Sequence, residues 1–462
     1  MIILEDILKI EGAQLQGAKL LKRQFKYVCI DSRKANKDEI FIALKGEKHD
    51  AHNFLPEVLK GETKLYMVHK DWYLANKQNY PKHSFLTVPD TTIALGRLAH
   101  YHKKRLKTKT IAIGGSNGKT TTKELIAAVL SKKFNVLFTA GNLNNHIGVP
   151  LTLLRLNEKH SFCVLEVGCN HFNEIKYLCE IAEPDYGIIT NIGKEHLEFF
   201  KTKAGVAKAE FEMIDVMQKL KKKTIFFANY TDEYIKKKSL KLPTNDHVSY
   251  GLGIKSDFEA RFMGYEKNFT PRIAVLNKKK STEYNINTFG KHSVYNGLAA
   301  VAVGVTLGVP SKAIQSALLK FTSGSGKRME VLNKNGLIVI NDCYNSNPDS
   351  VILGLQTLSE YQTTRQKHVV FGDMLELGKV SAKEHEGIGK QITKLKLKNI
   401  YAFGAESKHT IQSIKGALHA KHYETHATLI SDLKMNLKKG DVVYVKGSRG
   451  MKMETVTEAL IA

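Results

Sequence analysis

Apolar residues along this chain fall into two kinds of run, and their alternation predicts the fold. Short, mostly apolar, strand-like runs at 110–113, 136–139, 162–167, 187–192 and 224–228 read as strands of a sheet covered on both faces. Between them, apolar positions three and four apart read as helices with one apolar stripe, as with Leu125, Ile126, Val129 and Leu130. Strands that alternate with helices predict a mostly parallel sheet with helices on both faces. Over 250–288 the pattern changes to short alternating runs with turns, which predicts an antiparallel appendage, and a helix over 294–307 returns to the core. The strand–helix rhythm resumes at 336–341, 368–371, 399–403 and 441–445 and predicts a second, open, doubly wound sheet. The first hundred residues read as a small mixed unit. The expected fold is therefore α/β in three domains. An N-terminal α/β domain spans 1–105. A central domain over 106–321 carries a phosphate loop, a mostly parallel sheet and an antiparallel appendage. A C-terminal Rossmann-like domain spans 322–462. Gly and Ser at 322–326 read as a hinge.

Composition narrows the class. A chain of 462 residues is too long for one core. Its 42% hydrophobic and 25% charged residues are ordinary for a globular protein, and no run is long enough to span a bilayer. The opening MIILEDILKIEGA carries acids and does not read as a signal peptide. Five cysteines, scattered and without a CxxC pair, fit reduced thiols, so a cytoplasmic setting is expected. The net charge of +25 comes with lysine-rich runs at 102–105, 221–223, 236–238 and 278–280, which lack interleaved aromatics. Solvated faces and anionic small-molecule partners are expected rather than nucleic acid. A monomer without membrane insertion is expected.

The chemistry starts at TIAIGGSNGKTTT, residues 110–122. An apolar strand enters a glycine-rich turn, then Gly118-Lys119-Thr120, then a helix. Glycines let backbone N–H groups turn toward an anion, Lys119 reaches the terminal phosphates, and Thr120 offers a hydroxyl to Mg²⁺. Gly115, Ser116, Asn117, Gly118, Lys119, Thr120 and Thr121 are thus candidates for a nucleotide triphosphate. The turn is a short form, since the usual earlier glycine position holds Ile113.

A metal–phosphate site needs carboxylates close by. Glu166 ends the apolar run FCVLE and would stand at the sheet edge where ligands bind in open α/β folds. His196, in NIGKEH after the next strand, is a candidate to ligate or orient a metal. Asn142, Asn144 and Asn145, in GNLNNHIGVP, carry amides that suit phosphate or carboxylate and that also form turns. In the last third, NDCYNSNP and KGSR each end a strand. Asp342 is a ribose candidate there, and Lys446 and Arg449 are candidates for an anion. The loop GDMLELG, 372–378, leaves its role open.

Taken in order, the phosphate loop, GNLNNHIGVPLTLL, LEVGCNHFNEI, ITNIGKEHLEFF, NDCYNSNPDS, FGDMLELG and KGSRGMKME resemble the Mur ligase family over nearly the whole chain. These are ATP-dependent amide ligases of peptidoglycan precursor synthesis, and the branch most resembled adds D-Ala-D-Ala to UDP-MurNAc-tripeptide through an acyl phosphate. The resemblance implies that Ser32, Arg33 and Lys45 lie near the uridine nucleotide of the substrate. It implies that Lys119, Glu166, His196 and Arg328 serve catalysis, with ATP and Mg²⁺ as cofactors. His292, Asn296 and Asp342 would face adenosine. Asn142, Asn144, Asn145, Asn345, Asn347, Lys446, Ser448 and Arg449 would face the joined substrates. Thr120, Glu166, His196 and Glu210 would serve metal. Three positions depart from the family pattern. Ser293 stands where an asparagine is usual, and His146 stands where an acid is usual. Glu210 takes the place of a metal-binding carbamylated lysine, with Lys208 two residues earlier. The expectation is that the Glu210 carboxylate replaces the carbamate; the alternative is that Lys208 is carbamylated in a shifted local register. Another branch of the family, or a folylpolyglutamate-type ligase, is the nearest rival, and NDCYNSNPDS argues against both. A nucleotide-gated binding protein is the rival of a different class, and the intact Lys119, Thr120, Glu166 and His196 argue against it.

Overall fold

The computed structural model describes residues 1–17, 23–46, 49–266, 269–291, 293–324 and 326–462. Of the candidate residues, His292 lies outside the described set, as does Ser325 of the expected hinge. The chain divides into two compact units. One comprises 1–113, 133–187 and 212–225; the other comprises 114–132, 188–211 and 226–462.

The first unit holds two layered regions. Its N-terminal part is a five-stranded sheet in the order Gln14–Gly17, Ser84–Val88, Leu65–His69, Glu39–Ile42, Tyr27–Cys29. All neighbours are parallel except the first pair. Phe41, Tyr66, Val68 and Phe85 fill one face with Leu55 and Val58, each fully buried aliphatic side chain contributing about 1.5–3 kcal/mol. This part is mixed α/β, as the sequence pattern led one to expect. Further along, Lys109–Gly114, Phe162–Glu166 and Val136–Phe138 pair in parallel. The runs of Lys109–Gly114 and Phe162–Glu166 are buried on both faces, which is why they show no alternation, while Phe138 on the third strand is exposed. The register sets Glu166 opposite Ile113, level with the end of the strand that leads into the phosphate loop.

In the second unit, Ile225–Asn229 pairs in parallel with His247–Leu252, and that strand pairs in parallel with Phe258–Tyr265. Only Phe258–Tyr265, Pro271–Asn277 and Lys280–Asn285 form an antiparallel meander. The expected antiparallel appendage is therefore shorter than predicted: residues 250–252 belong to a parallel strand, since Tyr250 is buried on the sheet and pairs with Asn229. The helix Ser293–Thr306 follows, buried almost throughout.

The C-terminal part of this unit is a six-stranded sheet. Its strands are β1 (Glu330–Lys334), β2 (Leu337–Asp342), β3 (Lys367–Gly372), β4 (Asn399–Phe403), β5 (His419–Tyr423) and β6 (Val442–Lys446). The order is β1-β2-β6-β3-β4-β5, antiparallel only between β1 and β2. Val339, Val370, Tyr401, Val443 and Val445 form its core with Leu429 and Leu433. The sequence pattern predicted four of these strands. It missed β1 and β5, whose side chains are mostly half-buried or exposed, so no apolar run marks them.

Candidate active site

The phosphate loop is built by close packing. Gly115 and Gly118 have φ of 108° and 82°. A Cβ on Gly115 would stand 2.3 Å from Thr190 Oγ1, and one on Gly118 would stand 2.5 Å from Asn296 Oδ1. Both positions therefore require glycine, by backbone angle and by space. The loop is tied to the strand end beside it. Gly115 N–H donates to Glu210 Oε2 at 2.7 Å, Ser116 N–H to Asn191 O at 2.9 Å, and Asn117 N–H to Asn191 Oδ1 at 3.2 Å. Asn191 Nδ2 and Thr190 Oγ1 both donate to Asn117 O.

These bonds use the N–H groups of 115, 116 and 117. Thr122 N–H donates to Gly118 O, which opens the hydrogen-bond ladder of the helix Lys119–Leu130. With 115–117 tied down, the helix N-terminus at 119–121 is the part of the candidate loop that suits an anion. Lys119 Nζ donates to Gly115 O and lies 3.4 Å from Glu195 Oε2. Thr120 Oγ1 is buried and has no hydrogen-bond partner among the described residues. A buried hydroxyl without a partner is costly unless it is held for a ligand, so the residue fits the metal-bearing triphosphate expected there. Thr121 is half-buried beside it. Asn296 accepts from Thr122 Oγ1 at 3.2 Å and so braces the loop.

Glu210 and Lys208 separate clearly. Glu210 is fully buried under the loop, and Lys208 is exposed. The carboxylate at 210 is what meets Gly115.

His196 sits at φ 46° before a short helix, with Nδ1 2.6 Å from Glu376 Oε2. Glu376 is itself at φ 63°, and its carboxyl is held below the usual range first by the hydrogen bond from His196. The same loop is fixed by Lys194. Its N–H donates to Asp349 Oδ2 at 2.7 Å, and its ammonium meets both oxygens of Glu384 at 2.7 and 2.9 Å. Asn347 Nδ2 donates to Asn117 Oδ1 at 2.9 Å. Residues far apart in sequence thus converge on a cleft of about 480 Å³ that is open to solvent; Glu195, His196, Asn345, Asn347, Ser448 and Arg449 line it.

Around that cleft the C-terminal loops support one another. Asp342 accepts from Lys446 Nζ at 2.6 Å, from Tyr444 Oη at 3.0 Å and from Met329 N–H at 3.3 Å. Lys446 is 2% exposed, so it serves here as an inward brace for Asp342 rather than an open anion contact. Tyr444 is pushed well above the usual phenol range, first by burial and then by Asp342. Arg328 stacks on Tyr344 with its guanidinium carbon 3.8 Å from the ring centre, and Arg449 lies 5.4 Å from the same ring. Ser448 Oγ accepts from Leu375 N–H, and Asp373 accepts from Ser407 and Glu406 N–H, so the loop 372–378 is braced from both sides while its Leu375, Glu376 and Leu377 line the cleft.

In the first unit, Glu166 is buried, its carboxylate accepts from Asn144 Nδ2 at 3.0 Å, and its own N–H donates to Thr139 Oγ1 at 3.0 Å. Asn145 Oδ1 accepts from Ile147 and Gly148 N–H, which is a turn-forming use, and Asn142 O accepts from Asn144 N–H. Arg33 is mostly exposed and forms two 2.9 Å bonds to Asp31, whose carboxyl it holds far below its usual range. Ser32 is half-buried beside them; Lys45 is exposed and pairs through its backbone with Asp50. Sequence reasoning missed Asn191, Glu195, Asp349, Glu376 and Glu384. The first four stood inside motifs it had quoted, NIGKEH, NDCYNSNPDS and GDMLELG, and Glu384 carries no local signal.

Residues 113–304 match the Mur ligase middle domain, and residues 327–449 match the Mur ligase, glutamate ligase domain. The UDP-N-acetylmuramoyl-tripeptide–D-alanyl-D-alanine ligase of Bacillus subtilis (strain 168) is 33% identical over 443 residues, 94% of this chain and 93% of that protein. A crystal structure of MurF from Acinetobacter baumannii superposes with a TM-score of 0.88 at 29% identity, over 99% of this chain and 98% of that one. MurF ligase from Thermotoga maritima, in complex with ADP, superposes at 0.81 and 25% identity, over 94% and 96%.

Proposed function

This chain belongs to the Mur ligase family, and from that premise we propose that it joins D-Ala-D-Ala to UDP-MurNAc-tripeptide at the expense of ATP, in peptidoglycan precursor synthesis. The observation that carries the reading is 33% identity to a ligase of that name across 94% of this chain and 93% of the relative. The ADP-bound likeness supports ATP as the nucleotide. We assign the work to domains at 1–105, 106–321 and 322–462, which recognise the uridine nucleotide, ATP and the incoming dipeptide respectively.

The tripeptide's terminal carboxylate oxygen bonds to the γ-phosphorus of ATP, and the bond from that phosphorus to the ADP oxygen breaks. The amine of D-Ala-D-Ala then bonds to the activated carbonyl carbon, phosphate departs with its oxygen, and the amine gives up a proton. The protein's part is placement and charge balance. The first-turn N–H groups of 119–121 and the Lys119 ammonium meet phosphate oxygens. Arg328, oriented on Tyr344, faces the transferred group. Asp342, held by Lys446, meets ribose, with Asn296 on the adenosine side. Asn345, Ser448 and Arg449 face the dipeptide, and Ser32, Arg33 and Lys45 face the uridine nucleotide. Thr120, Glu166, His196 and Glu210 would hold Mg²⁺, which when bound neutralises charge on the phosphates. We read the enzyme as a cytoplasmic monomer; no helix among the described residues is long and apolar enough to cross a membrane.

The test is phosphate release from ATP and Mg²⁺ with UDP-MurNAc-tripeptide and D-Ala-D-Ala added singly and together, the third residue supplied as lysine or as diaminopimelate. Release that needs both substrates, with a UDP-MurNAc-pentapeptide product, is expected. Release indifferent to D-Ala-D-Ala would move the chain to another branch of the family.

A further inference from the structure

The two ends of the C-terminal sheet carry opposite chemistry. The segments after the strands, 343–349, 373–379, 404–407, 424–426 and 447–452, hold five carboxylates and three Lys or Arg. The segments before the strands, 334–336, 365–367, 394–398, 415–418 and 434–440, hold nine exposed Lys or Arg and no Asp or Glu. Two acids on the adjoining elements are already engaged. Asp441 is buried against His368, and Asp432 accepts from Tyr423 and Lys421.

The cationic end is also level. Ile338 pairs with Val442, which pairs with Lys367; His368 pairs with Asn399, which pairs with His419. The turns are laced at that height, with Gly440 N–H donating to Gly336 O, Val442 N–H to Gln366 O, and Leu418 N–H to Lys398 O. Five strands at this spacing make a rim about 19 Å wide. From it stand Leu418 and Met435, each 76% exposed, the most exposed large apolar side chains among the described residues.

We propose that this rim rests on an anionic lipid bilayer. A flat partner suits a flat rim, clustered lysines suit a negative surface potential, and two apolar side chains among them suit the headgroup boundary. The five segments contain no aromatic residue, so they offer no platform for the bases of a nucleic acid. The cleft-bearing loops lie at the far ends of the same strands, so docking leaves them open to substrate. Surface attachment of this kind needs no spanning helix.

The test is co-sedimentation of the full chain with vesicles of phosphatidylcholine alone and of equal parts phosphatidylcholine and phosphatidylglycerol, at roughly physiological salt, where charges act over about 8 Å. Binding only to the anionic vesicles is expected. Lys396→Glu, Lys398→Glu and Lys439→Glu together should weaken it at least about tenfold. The same charge change at Lys278, Lys279 and Lys280, on the meander hairpin, should leave it within about twofold. Leu418→Ser with Met435→Ser should weaken it several-fold. Each variant's unfolding midpoint is compared with wild type, so that lost binding is not lost fold. Equal loss in both triple variants would overturn the proposal in favour of undirected charge. Rim-dependent binding to single-stranded RNA without vesicle binding would also overturn it.

Discussion

Two helices of the second unit begin just after strand ends, and they begin in opposite ways. Lys119–Leu130 starts from Gly118 in the left-handed region, with no side-chain cap. Pro348–Glu360 starts from Asn347 in extended backbone, with both arms of a capping box. Asn347 Oδ1 accepts from Ser350 N–H at 2.9 Å, and Ser350 Oγ accepts from Asn347 N–H at 3.0 Å. Proline at the first position has no N–H to satisfy. One start has no side-chain cap over its first turn; the other is closed by its own capping box. The second start is then free to act as a strut. It gives Asn347 Nδ2 to Asn117 and Asp349 Oδ2 to Lys194 N–H, and so fixes two loops that border the cleft. The same element, strand then turn then helix, serves ligand binding or scaffolding according to its capping residue.

The open start should be the more fragile for function. Lys119→Met removes the one ammonium that reaches out of that turn, and turnover should fall about 10³-fold or more with the unfolding midpoint nearly unchanged. Retention of more than a tenth of the activity would show that the first turn is not the phosphate cradle. Gly118→Ala comes next. It forces an L-residue to φ 82° and drives its Cβ into Asn296. About 1–3 kcal/mol of stability should be lost in denaturant melts, with nucleotide affinity lowered about tenfold or more. A neutral Gly118→Ala would mean that the turn can relax, and the contrast between the two starts would weaken.

How far the sequence could reveal this contrast depends on range. Gly115, Gly118, Lys119 and Thr120 form a motif because one short segment carries all the chemistry, and NSNPDS likewise holds both arms of its cap within four residues. The strand ends that bear Glu166 and Asp342 were legible because unbroken apolar runs stop there. What stayed hidden lies between segments. Lys194 meets Glu384 across 190 positions, and Asn117 meets Asn347 across 230. The inward pairing of Lys446, read from sequence as a candidate for an anion, follows from Asp342 lying on the neighbouring strand of the sheet. Strands β1 and β5 went unseen because edge positions need no apolar run. The parallel pairing of 250–252 is a choice of partner that alternation does not encode.

The closed start offers the finer test, because its cap and its strut use different atoms of one side chain. Asn347→Ala removes both, and should cost about 1 kcal/mol of stability together with a several-fold loss of turnover. Asn347→Asp separates them. An aspartate still accepts from Ser350 N–H, so the cap survives and stability should stay within about 0.5 kcal/mol of wild type. It has no N–H for Asn117 Oδ1, and it sets two acceptors against each other where a 2.9 Å bond stood. Turnover should therefore fall several-fold, to the level of Asn347→Ala, while the melt stays close to wild type. If turnover instead tracks stability across both variants, Asn347 acts only as a helix cap, and the second start does not fix the loops of the first.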